Sequence, residues 1–326
     1  MTNIQNYPVV AVVIPSYRVV SHIINVINGI GSEVSLIYVV DDKCPENSGD
    51  FVASHCKDYR VHILRHEFNQ GVGGAVMTGY LAAIEAGADV IVKVDGDGQM
   101  DPTLIPFFVK PIVDGNADYT KGNRFFDLDL IGSMPPIRLF GNTLLSFMAK
   151  ISTGYWDLFD PTNGFTAIHA DVACRLPFKK ISQRYFFETD VLFRLNIMRA
   201  VVMDIPMAAR YADEKSNLKI SSVVSEFFVK HLRNSLKRIF YTYYLRDLTI
   251  ASIELPIGLL LFGFGIFYGT YHWLEASNSM NSTPAGVVMM AALPILTGLQ
   301  FMLAFLGYDI SSVPKRVRHL GRLKHK

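Results

Sequence analysis

Short apolar runs alternate with helix-like segments along the first two thirds of the chain. Continuous runs rich in Val and Ile are typical of strands that are buried on both faces of a parallel sheet. Four such runs are residues 9–14, 34–40, 61–64 and 90–94. Residues 20–30 and 73–86 separate some of them and have helical spacing. This alternation predicts βαβ units, and therefore an α/β domain with a Rossmann-like, mostly parallel sheet.

Polar clusters follow three of these predicted strands at the point where each strand ends. They are residues 15–18, 41–43 and 95–99. In open α/β sheets, ligands bind outside the carboxyl ends of the strands. We therefore expect the three clusters to converge on one ligand site.

Two long apolar stretches lie in the last third of the chain, at residues 248–274 and 285–308. Each exceeds the roughly 20 residues that a membrane-spanning helix needs. The segment between them contains no Lys or Arg, whereas the outer flanks contain many. The positive-inside rule therefore predicts a hairpin with both of its ends in the cytoplasm. The alternative is a pair of buried core helices.

An amphipathic segment, residues 222–246, precedes the hairpin. One arc of the predicted helix is basic, and it contains Lys230, Arg233, Lys237 and Arg238. The opposite arc is apolar, and it contains Phe228, Leu232, Leu236, Ile239 and Tyr243. Such helices lie in membrane interfaces with the basic face toward anionic head groups. The alternative is the solvated face of a globular helix.

Composition agrees with a membrane-anchored enzyme. Of the 326 residues, 50% are hydrophobic, and the net charge of +2 gives no reason to expect a nucleic-acid partner. Three scattered cysteines favour a reducing compartment, and no signal peptide is evident. We expect an integral protein of the cytoplasmic (inner) membrane. The predicted parts are a catalytic domain (1–221), a juxtamembrane helix (222–246), a transmembrane hairpin (247–310) and a basic cytoplasmic tail (311–326).

The sequence DGDGQ at residues 95–99 is a candidate metal site. Asp95, Asp97 and Gln99 offer hard oxygen ligands, which suit Mg²⁺ or Mn²⁺ together with substrate phosphates. A calcium-binding EF-hand loop is excluded because Pro106 stands where the twelfth-position Glu would be. A simple turn remains the alternative for this motif.

Two further motifs are candidates for nucleotide binding. One carboxylate of the Asp41-Asp42 pair could accept hydrogen bonds from a base or ribose, unless the pair only starts a turn. The segment NQGVGG (69–74), which includes Gly74, resembles a phosphate-binding glycine loop. It lacks the spacing of the dinucleotide fingerprint and the Lys-Ser/Thr of a P-loop.

An ordered series of motifs spans residues 8–220. In sequence order they are PSYR (15–18), VVDD (39–42), NQGVGGAVMTGY (69–80), VDGDGQMDP (94–102), KGNR (121–124), RLFGN (138–142), DPTNGF (160–165) and YFFETD (185–190). Together they resemble the family 2 (GT2) glycosyltransferases that act on dolichyl or polyprenyl phosphate. The membrane hairpin matches the bacterial members of that group.

The resemblance implies a GT-A fold, an inverting transfer and roles for individual residues. Contacts to the nucleotide-sugar are implied for Pro15, Tyr17, Asp41, Asp42, Gly74, Asp95, Lys215 and Ser216. The metal and diphosphate would be held by Asp95, Asp97 and Gln99. The catalytic set would be Asp97, Arg124, Arg138, Glu188 and Asp190, in which the two arginines meet the acceptor phosphate and the last two acids lie near the sugar.

The chain departs from the family pattern at two places in the nucleotide pocket. Arg18-Val19 stands where the family has Asn-Glu, and Lys43-Cys44 stands where it has Gly-Ser. These departures leave the preferred base and sugar open. Two of the implied roles also have non-functional alternatives, since Arg124 could be a surface charge and Glu188 could form an ion pair with Arg184.

The sequence therefore predicts a metal-dependent transfer of a sugar from a UDP- or GDP-sugar to polyprenyl phosphate at a membrane. The acceptor phosphate is already ionised, so positioning and leaving-group stabilisation would carry the reaction. One alternative is a GT2 enzyme that acts on a lipid-linked oligosaccharide or polysaccharide hydroxyl. Another is an inactive nucleotide-binding scaffold. Glycines in the first span, which include the GxxxG of Gly265 and Gly269, make a homo-oligomer possible.

Overall fold

The computed structural model describes residues 8–125, 136–207, 220–279 and 282–321. Its described strands are β1 (Val10–Ser16), β2 (Leu36–Asp41), β3 (Val61–Arg65), β4 (Val90–Lys93), β5 (Tyr119–Asn123), β6 (Thr166–His169) and β7 (Val202–Pro206). They form one sheet in the order β3-β2-β1-β4-β6-β5-β7. Of these seven strands, β6 runs antiparallel to both neighbours, and the other pairs are parallel. The predicted mostly parallel α/β sheet is confirmed.

Helices cover the sheet and continue into the C-terminal third. They are α1 (Ile23–Asn28), α2 (Ser48–His55), α3 (Val72–Glu85), α4 (Ile105–Val113), α5 (Pro136–Thr153), α6 (Ala170–Ala173), α7 (Phe187–Ile197), α8 (Ile220–Phe240), α9 (Ala251–Asn278) and α10 (Ala285–Ser311). β1 is buried along its whole length, as its run of Val and Ile predicts. α1 and α4 contribute Ile23, Ile27 and Phe108 to the same hydrophobic core.

The chain divides into two compact units. The first contains the sheet and runs to Ser235, and it also includes the described residues 314–321. The second is Leu236–Val313. The sequence predicts that residues 311–326 are a separate tail. In the structure α10 continues to Ser311, and the chain then returns to the first unit.

Asp118 anchors this returning segment. Its side chain is fully buried, and it accepts hydrogen bonds from the backbone N–H groups of Val201, Arg318 and His319. The His319 ring stacks on His169 with its centroid 4.1 Å away. A buried carboxylate needs such compensation because desolvation of a charge is costly. The C-terminal segment is therefore a packed part of the first unit.

The two long helices are candidate membrane spans. The most apolar stretches of α9 and α10 have mean hydropathies of 1.7 and 2.0, and only 22% and 6% of their residues are buried. Core helices of a soluble protein would be mostly buried, so the exposure contradicts that alternative. The predicted pair of apolar C-terminal helices is confirmed.

Glycines let the two helices of this hairpin approach closely. A Cβ on Gly265 would lie 2.7 Å from the carbonyl oxygen of Ala291, and one on Gly298 would lie 2.6 Å from the backbone nitrogen of Phe262. Small residues at such crossings allow backbone contact. Gly265 of the GxxxG motif thus packs within the hairpin, which gives it a role that needs no second copy of the chain.

The juxtamembrane segment differs from the predicted amphipathic pattern at Arg238 and at Tyr243, which is 1% exposed and lies beyond the end of α8. Phe228, Leu232 and Leu236 are at least half exposed, as expected of an interfacial face. Arg238, however, is 2% exposed and does not lie on a basic surface. It forms a bidentate ion pair with Asp309 at 2.6 and 2.9 Å. The helical periodicity placed Arg238 on the basic arc, but a buried carboxylate 71 residues later pairs with it.

Candidate active site

The candidate site lies where the strand order reverses. β1 has β2 on one side and β4 on the other, so the chain leaves the centre of the sheet in both directions. Such switch points leave a crevice at the carboxyl ends of the strands. A pocket of about 430 Å³ occupies this position. Its lining is Pro15, Ser16, Tyr17, Val19, Asp42, Asn69, Gly71, Val72, Ala75, Asp95, Gly96, Asp97, Arg184 and Tyr185.

The three predicted polar clusters do converge at this pocket. Pro15 and Tyr17 follow β1, Asp42 follows β2, and Asp95 and Asp97 follow β4. Asp41 is the exception, because it is absent from the pocket lining. Its two carboxylate oxygens accept hydrogen bonds of 2.7 Å from the backbone N–H groups of Cys44 and Gly49. Asp41 therefore shapes the loop beside the pocket.

Asp42 organises the loop that follows β3. Its oxygen Oδ1 accepts from the Gln70 N–H, and its oxygen Oδ2 accepts from the Gly71 N–H, both at 2.7 Å. The Nδ1 atom of His66 also lies 2.7 Å from Asp42 Oδ1, and the other ring nitrogen of His66 contacts Thr78. This charge-assisted network fixes the glycine loop against the end of β2.

The glycine loop packs against the backbone of another segment. The N–H groups of Gly73 and Gly74 both donate to the carbonyl oxygen of Gln183. A Cβ on Gly73 would lie 2.7 Å from the Ser182 carbonyl oxygen. Gly74 is buried and does not line the pocket. These glycines admit the backbone of residues 182–187, whose side chains Arg184 and Tyr185 then line the pocket.

The segment 182–187 is held from its other side by α7 and α8. Phe186 packs against the rings of Phe227 and His231, at centroid distances of 5.4 and 5.0 Å. Asp190 accepts from the Ser182 N–H at 2.9 Å and from the Asn234 side chain at 3.2 Å. The juxtamembrane helix and the pocket wall are thus parts of one packed assembly.

Glu188 and Asp190, which the resemblance places near the sugar, have different partners in the structure. Both lie on α7, where residues two positions apart point about 200° apart around the helix. Asp190 faces α8 through Asn234. Glu188 points instead toward Lys93, whose Nζ lies 3.3 Å from Glu188 Oε1. The alternative partner of Glu188, Arg184, is a pocket residue.

Lys93 is the site residue that the sequence analysis missed. Its side chain is 1% exposed, and its ammonium lies 2.7 Å from Asp95 Oδ1 and donates a hydrogen bond to the Gly164 carbonyl oxygen. Burial lowers its pKa, but Asp95 and Glu188 outweigh that effect and raise the pKa above its usual value. Burial raises the pKa of Glu188, and Lys93 opposes that rise. A lysine that interrupts the apolar run VIVKV was the available sequence signal.

Arg124 lies at the end of β5 and is anchored by a buried partner. Its Nε and Nη2 atoms lie 2.7 and 3.1 Å from the two oxygens of Asp160, which is 1% exposed. Burial raises the pKa of Asp160, but Arg124 and Lys121 hold it below its usual value. Since the Arg124 side chain is 34% exposed, it is a fixed cation that solutes can reach.

Two of the three candidate metal ligands line the pocket. Asp95 and Asp97 line it, whereas Gln99 does not. Among the described residues, no group of three His, Cys, Asp or Glu side chains could hold a metal by itself. Two carboxylates are what Mg²⁺ or Mn²⁺ needs when a diphosphate supplies the other oxygens. The donor set therefore fits a metal that binds together with a nucleotide.

Three predicted site residues cannot be placed by their side chains. Arg138 lies in α5, but its side chain is outside the described part of the structure. Lys215 and Ser216 lie wholly outside the described residues.

The two departures from the family pattern lie side by side. Arg18 and Lys43 both adopt left-handed backbone conformations, with φ of 58° and 55°. The Arg18 N–H donates to the Cys44 sulfur at 3.1 Å. Non-glycine residues in this region carry strain, which often marks functional loops. The exposed cations Arg18 and Lys43 therefore flank the pocket where β1 and β2 end.

A family model supports the arrangement seen in the structure. The model described as "Glycosyl transferase family 2" matches residues 11–176, which is about half of the chain. That range contains β1 to β6 and the loops that carry Asp42, Asp95 and Asp97.

Relatives of known activity are similar over most of their own length. The chain is 27% identical to a UDP-N-acetylglucosamine–dolichyl-phosphate N-acetylglucosaminyltransferase of Methanococcus voltae, over 62% of this chain and 85% of the relative. It is 28% identical to an undecaprenyl-phosphate mannosyltransferase of Micrococcus luteus, over 61% and 82%.

A solved structure shares the fold. Glucosyl-3-phosphoglycerate synthase from Mycobacterium tuberculosis, in complex with Mn²⁺, UDP and glucosyl-3-phosphoglycerate, aligns with a TM-score of 0.54. The alignment covers 71% of this chain and 80% of that chain at 15% identity. At this identity the likeness shows the fold alone, and it confirms the predicted GT-A architecture.

Proposed function

Because the chain belongs to glycosyl transferase family 2, we propose that it transfers a sugar from a nucleotide-sugar to polyprenyl phosphate at a membrane surface. The observation that carries this proposal is the pocket at the switch point, which Asp42, Asp95 and Asp97 line. Two relatives named for transfer to dolichyl or undecaprenyl phosphate support the acceptor class. The two candidate spans support a lipid acceptor, since they would hold the site at a bilayer.

The protein's own residues suggest how the reaction is arranged. Pro15 and Tyr17 line the pocket and would contact the nucleotide, and Asp95 and Asp97 would hold Mg²⁺ or Mn²⁺ with the diphosphate. That metal would act as a Lewis acid for the departing nucleoside diphosphate. Arg124, fixed by Asp160, would bind the acceptor phosphate and bring it to the anomeric carbon from the side opposite the leaving group. The result would be an inverted, β-linked product from an α-linked donor.

The membrane arrangement follows from the same elements. The exposed apolar residues of α8 would lie in the interface, and α9 and α10 would span the bilayer as a hairpin. The segment after α10 packs against Asp118 in the catalytic domain. Both ends of the hairpin would therefore lie on the same side of the membrane, which the positive-inside rule assigns to the cytoplasm.

The direct test is a donor panel. Purified full-length protein in detergent, with Mn²⁺ and undecaprenyl phosphate, is incubated with UDP- and GDP-sugars, and mass spectrometry follows the lipid. We expect a glycosylated lipid phosphate with one donor. Binding of a nucleotide without any lipid product would favour an oligosaccharide or polysaccharide acceptor. Absence of nucleotide binding would favour an inactive scaffold and contradict the proposal.

Replacing Arg124 by lysine should weaken acceptor binding specifically. Lysine keeps the charge but loses the two-nitrogen pairing with Asp160 that fixes the position of the cation, and hydrogen bonds to charged groups contribute about 1.5–3 kcal/mol. We expect the KM for undecaprenyl phosphate to rise about tenfold or more, with the KM for the donor unchanged. Arg60→Lys is the matched control, because Arg60 also pairs with an aspartate, Asp58, but precedes β3, whereas Arg124 follows β5 at the carboxyl ends of the strands. An equal change in both KM values would argue against acceptor recognition.

Replacing Gly71 by alanine should damage the pocket. Its Cβ would lie 2.6 Å from the Gln183 carbonyl oxygen, so the wall segment 182–187 must shift. Overpacking of this kind costs about 1–3 kcal/mol, and we expect the Kd for the nucleotide to rise about tenfold. Gly87→Ala is the control, since Gly87 shares the positive φ (79° against 86°) but has open space around its Cβ. Equal effects of both variants on nucleotide Kd, measured by calorimetry, would contradict the steric account.

A further inference from the structure

A buried cation lies directly behind the candidate metal carboxylates. Lys93 is one of the largest fully buried side chains of the described structure, although lysine is rarely buried. Its ammonium contacts a carboxylate from the β4 end, Asp95, and one from α7, Glu188. Burial of an ammonium is unfavourable unless it is paired, and these two carboxylates provide that pairing.

Gly164 makes room for this cluster. A Cβ at this position would overlap the Lys93 ammonium and lie 2.5 Å from Asp95 Oδ2. The Gly164 carbonyl oxygen also accepts a hydrogen bond from Lys93 at 3.1 Å. The ammonium is therefore held by three groups from three different parts of the chain. This fixed geometry leaves Asp95 with its Oδ1 atom buried and its side chain 27% exposed at the pocket.

Lys93 offsets only part of the negative charge at this place. Asp95, Asp97 and Glu188 contribute carboxylates, and Lys93 contributes one positive charge directly at two of them. A divalent cation that arrives alone meets the repulsion of Lys93. A cation that arrives with a diphosphate brings its own negative charge. Even at the dielectric constant of water, one unit charge acting on a dication over about 6 Å changes affinity about tenfold.

We propose that Lys93 is a positioning residue that holds Asp95 in place and makes metal binding depend on the nucleotide diphosphate. This inference rests on the proposed function, because it assumes that Asp95 and Asp97 hold the metal. It adds a role for Lys93 and for Glu188, its second anchor. The negative charge of Glu188 offsets part of the positive charge that Lys93 places beside Asp95. Lys93 therefore lowers the affinity of Asp95 for the metal, and Glu188 raises it.

The test measures Mn²⁺ binding to the full-length protein by electron paramagnetic resonance, with and without UDP. In Lys93→Met we expect Mn²⁺ alone to bind about tenfold more tightly than in the wild type, and the enhancement by UDP to shrink. In Glu188→Gln we expect Mn²⁺ alone to bind several-fold more weakly, because the positive charge of Lys93 is then compensated by Asp95 alone. Lys110→Met is the matched control, since Lys110 is 74% exposed on α4 and pairs only with Asp114 among the ion pairs of the described residues.

The outcomes separate this inference from the proposed function. Weaker Mn²⁺ binding in both Lys93→Met and Glu188→Gln would mean that Lys93 only supports the fold, and would overturn the inference. Should Lys93→Met fail to fold, unchanged or tighter binding in Glu188→Gln would overturn it equally. If the wild type binds no Mn²⁺ even with UDP, the metal-dependent mechanism fails, and the role of Lys93 fails with it. Opposite shifts in the two variants support the inference.

Discussion

Replacing Asp97 by asparagine is expected to reduce sugar transfer on the order of a thousandfold while the protein stays folded. Asp97 lines the pocket and has an oxygen that accepts from the Gln99 N–H at 3.0 Å. Asparagine keeps the size and that hydrogen bond but removes the negative charge. The departing diphosphate would lose the charge compensation that a metal held by Asp97 gives it. Single-turnover rates with the donor found in the panel, at saturating Mn²⁺, measure the loss.

Asp101→Asn is the matched control for that prediction. Asp101 lies in the same loop region and undergoes the same chemical change, but it is absent from the pocket lining. Its side chain caps the short helix at Pro102 by accepting from the Thr103 N–H. We expect both stability and transfer to be nearly unchanged, because Asn caps helices about as well as Asp. Equal activities of the Asp97 and Asp101 variants would rule out a catalytic charge at Asp97.

The second large effect concerns the second unit, Leu236–Val313. Replacing Asp309 by alanine is expected to lower its stability by about 3–5 kcal/mol, because removal of one partner leaves a buried charge uncompensated. Asp309 is 2% exposed, and it accepts from Arg238 and from the Tyr243 hydroxyl at 2.6 Å each. Loss of the carboxylate would leave Arg238 and the Tyr243 hydroxyl without this acceptor. Thermal unfolding of the full-length protein in detergent should show the second unit melting first.

A double variant separates charge burial from packing. Arg238→Met combined with Asp309→Leu removes both charges at similar volume, and such replacements are often neutral or stabilising. We expect it to recover most of the lost stability. Asp114→Ala serves as the surface control, since the Lys110–Asp114 pair is exposed and should contribute less than about 1 kcal/mol. A double variant as unstable as Asp309→Ala would show that the pair is needed for more than charge compensation.

Much of the fold could be predicted from the sequence because a strand that is buried on both faces of a sheet is a continuous apolar run along the chain. β1 and β4 are recognisable from their Val and Ile runs, and the helices between strands follow from apolar spacing. The end of each strand also fixes where its polar residues lie, so the convergence of Tyr17, Asp42 and Asp95 followed from topology alone. The two candidate spans were predictable from length and composition.

Single residues were harder to predict because their roles depend on partners distant in sequence. The glycines at 73 and 74 have the composition of a phosphate loop, yet they accommodate the backbone of residue 183, more than 100 positions away. Helix geometry separates Glu188 from Asp190, although the ETD motif places them together in sequence. No local pattern indicates which carboxylates surround a given cation.

The sequence by itself determined the α/β sheet, the apolar hairpin and the polar edge at which the site lies, because each depends on residues that are close along the chain. Only the tertiary structure decided that Lys93 pairs with Asp95 and Glu188, that Arg238 is buried against Asp309, and that the C-terminal segment returns to Asp118. These are buried charges. A charge can leave water only where opposite charge or hydrogen-bond donors are brought to it, and the folded chain alone brings them together.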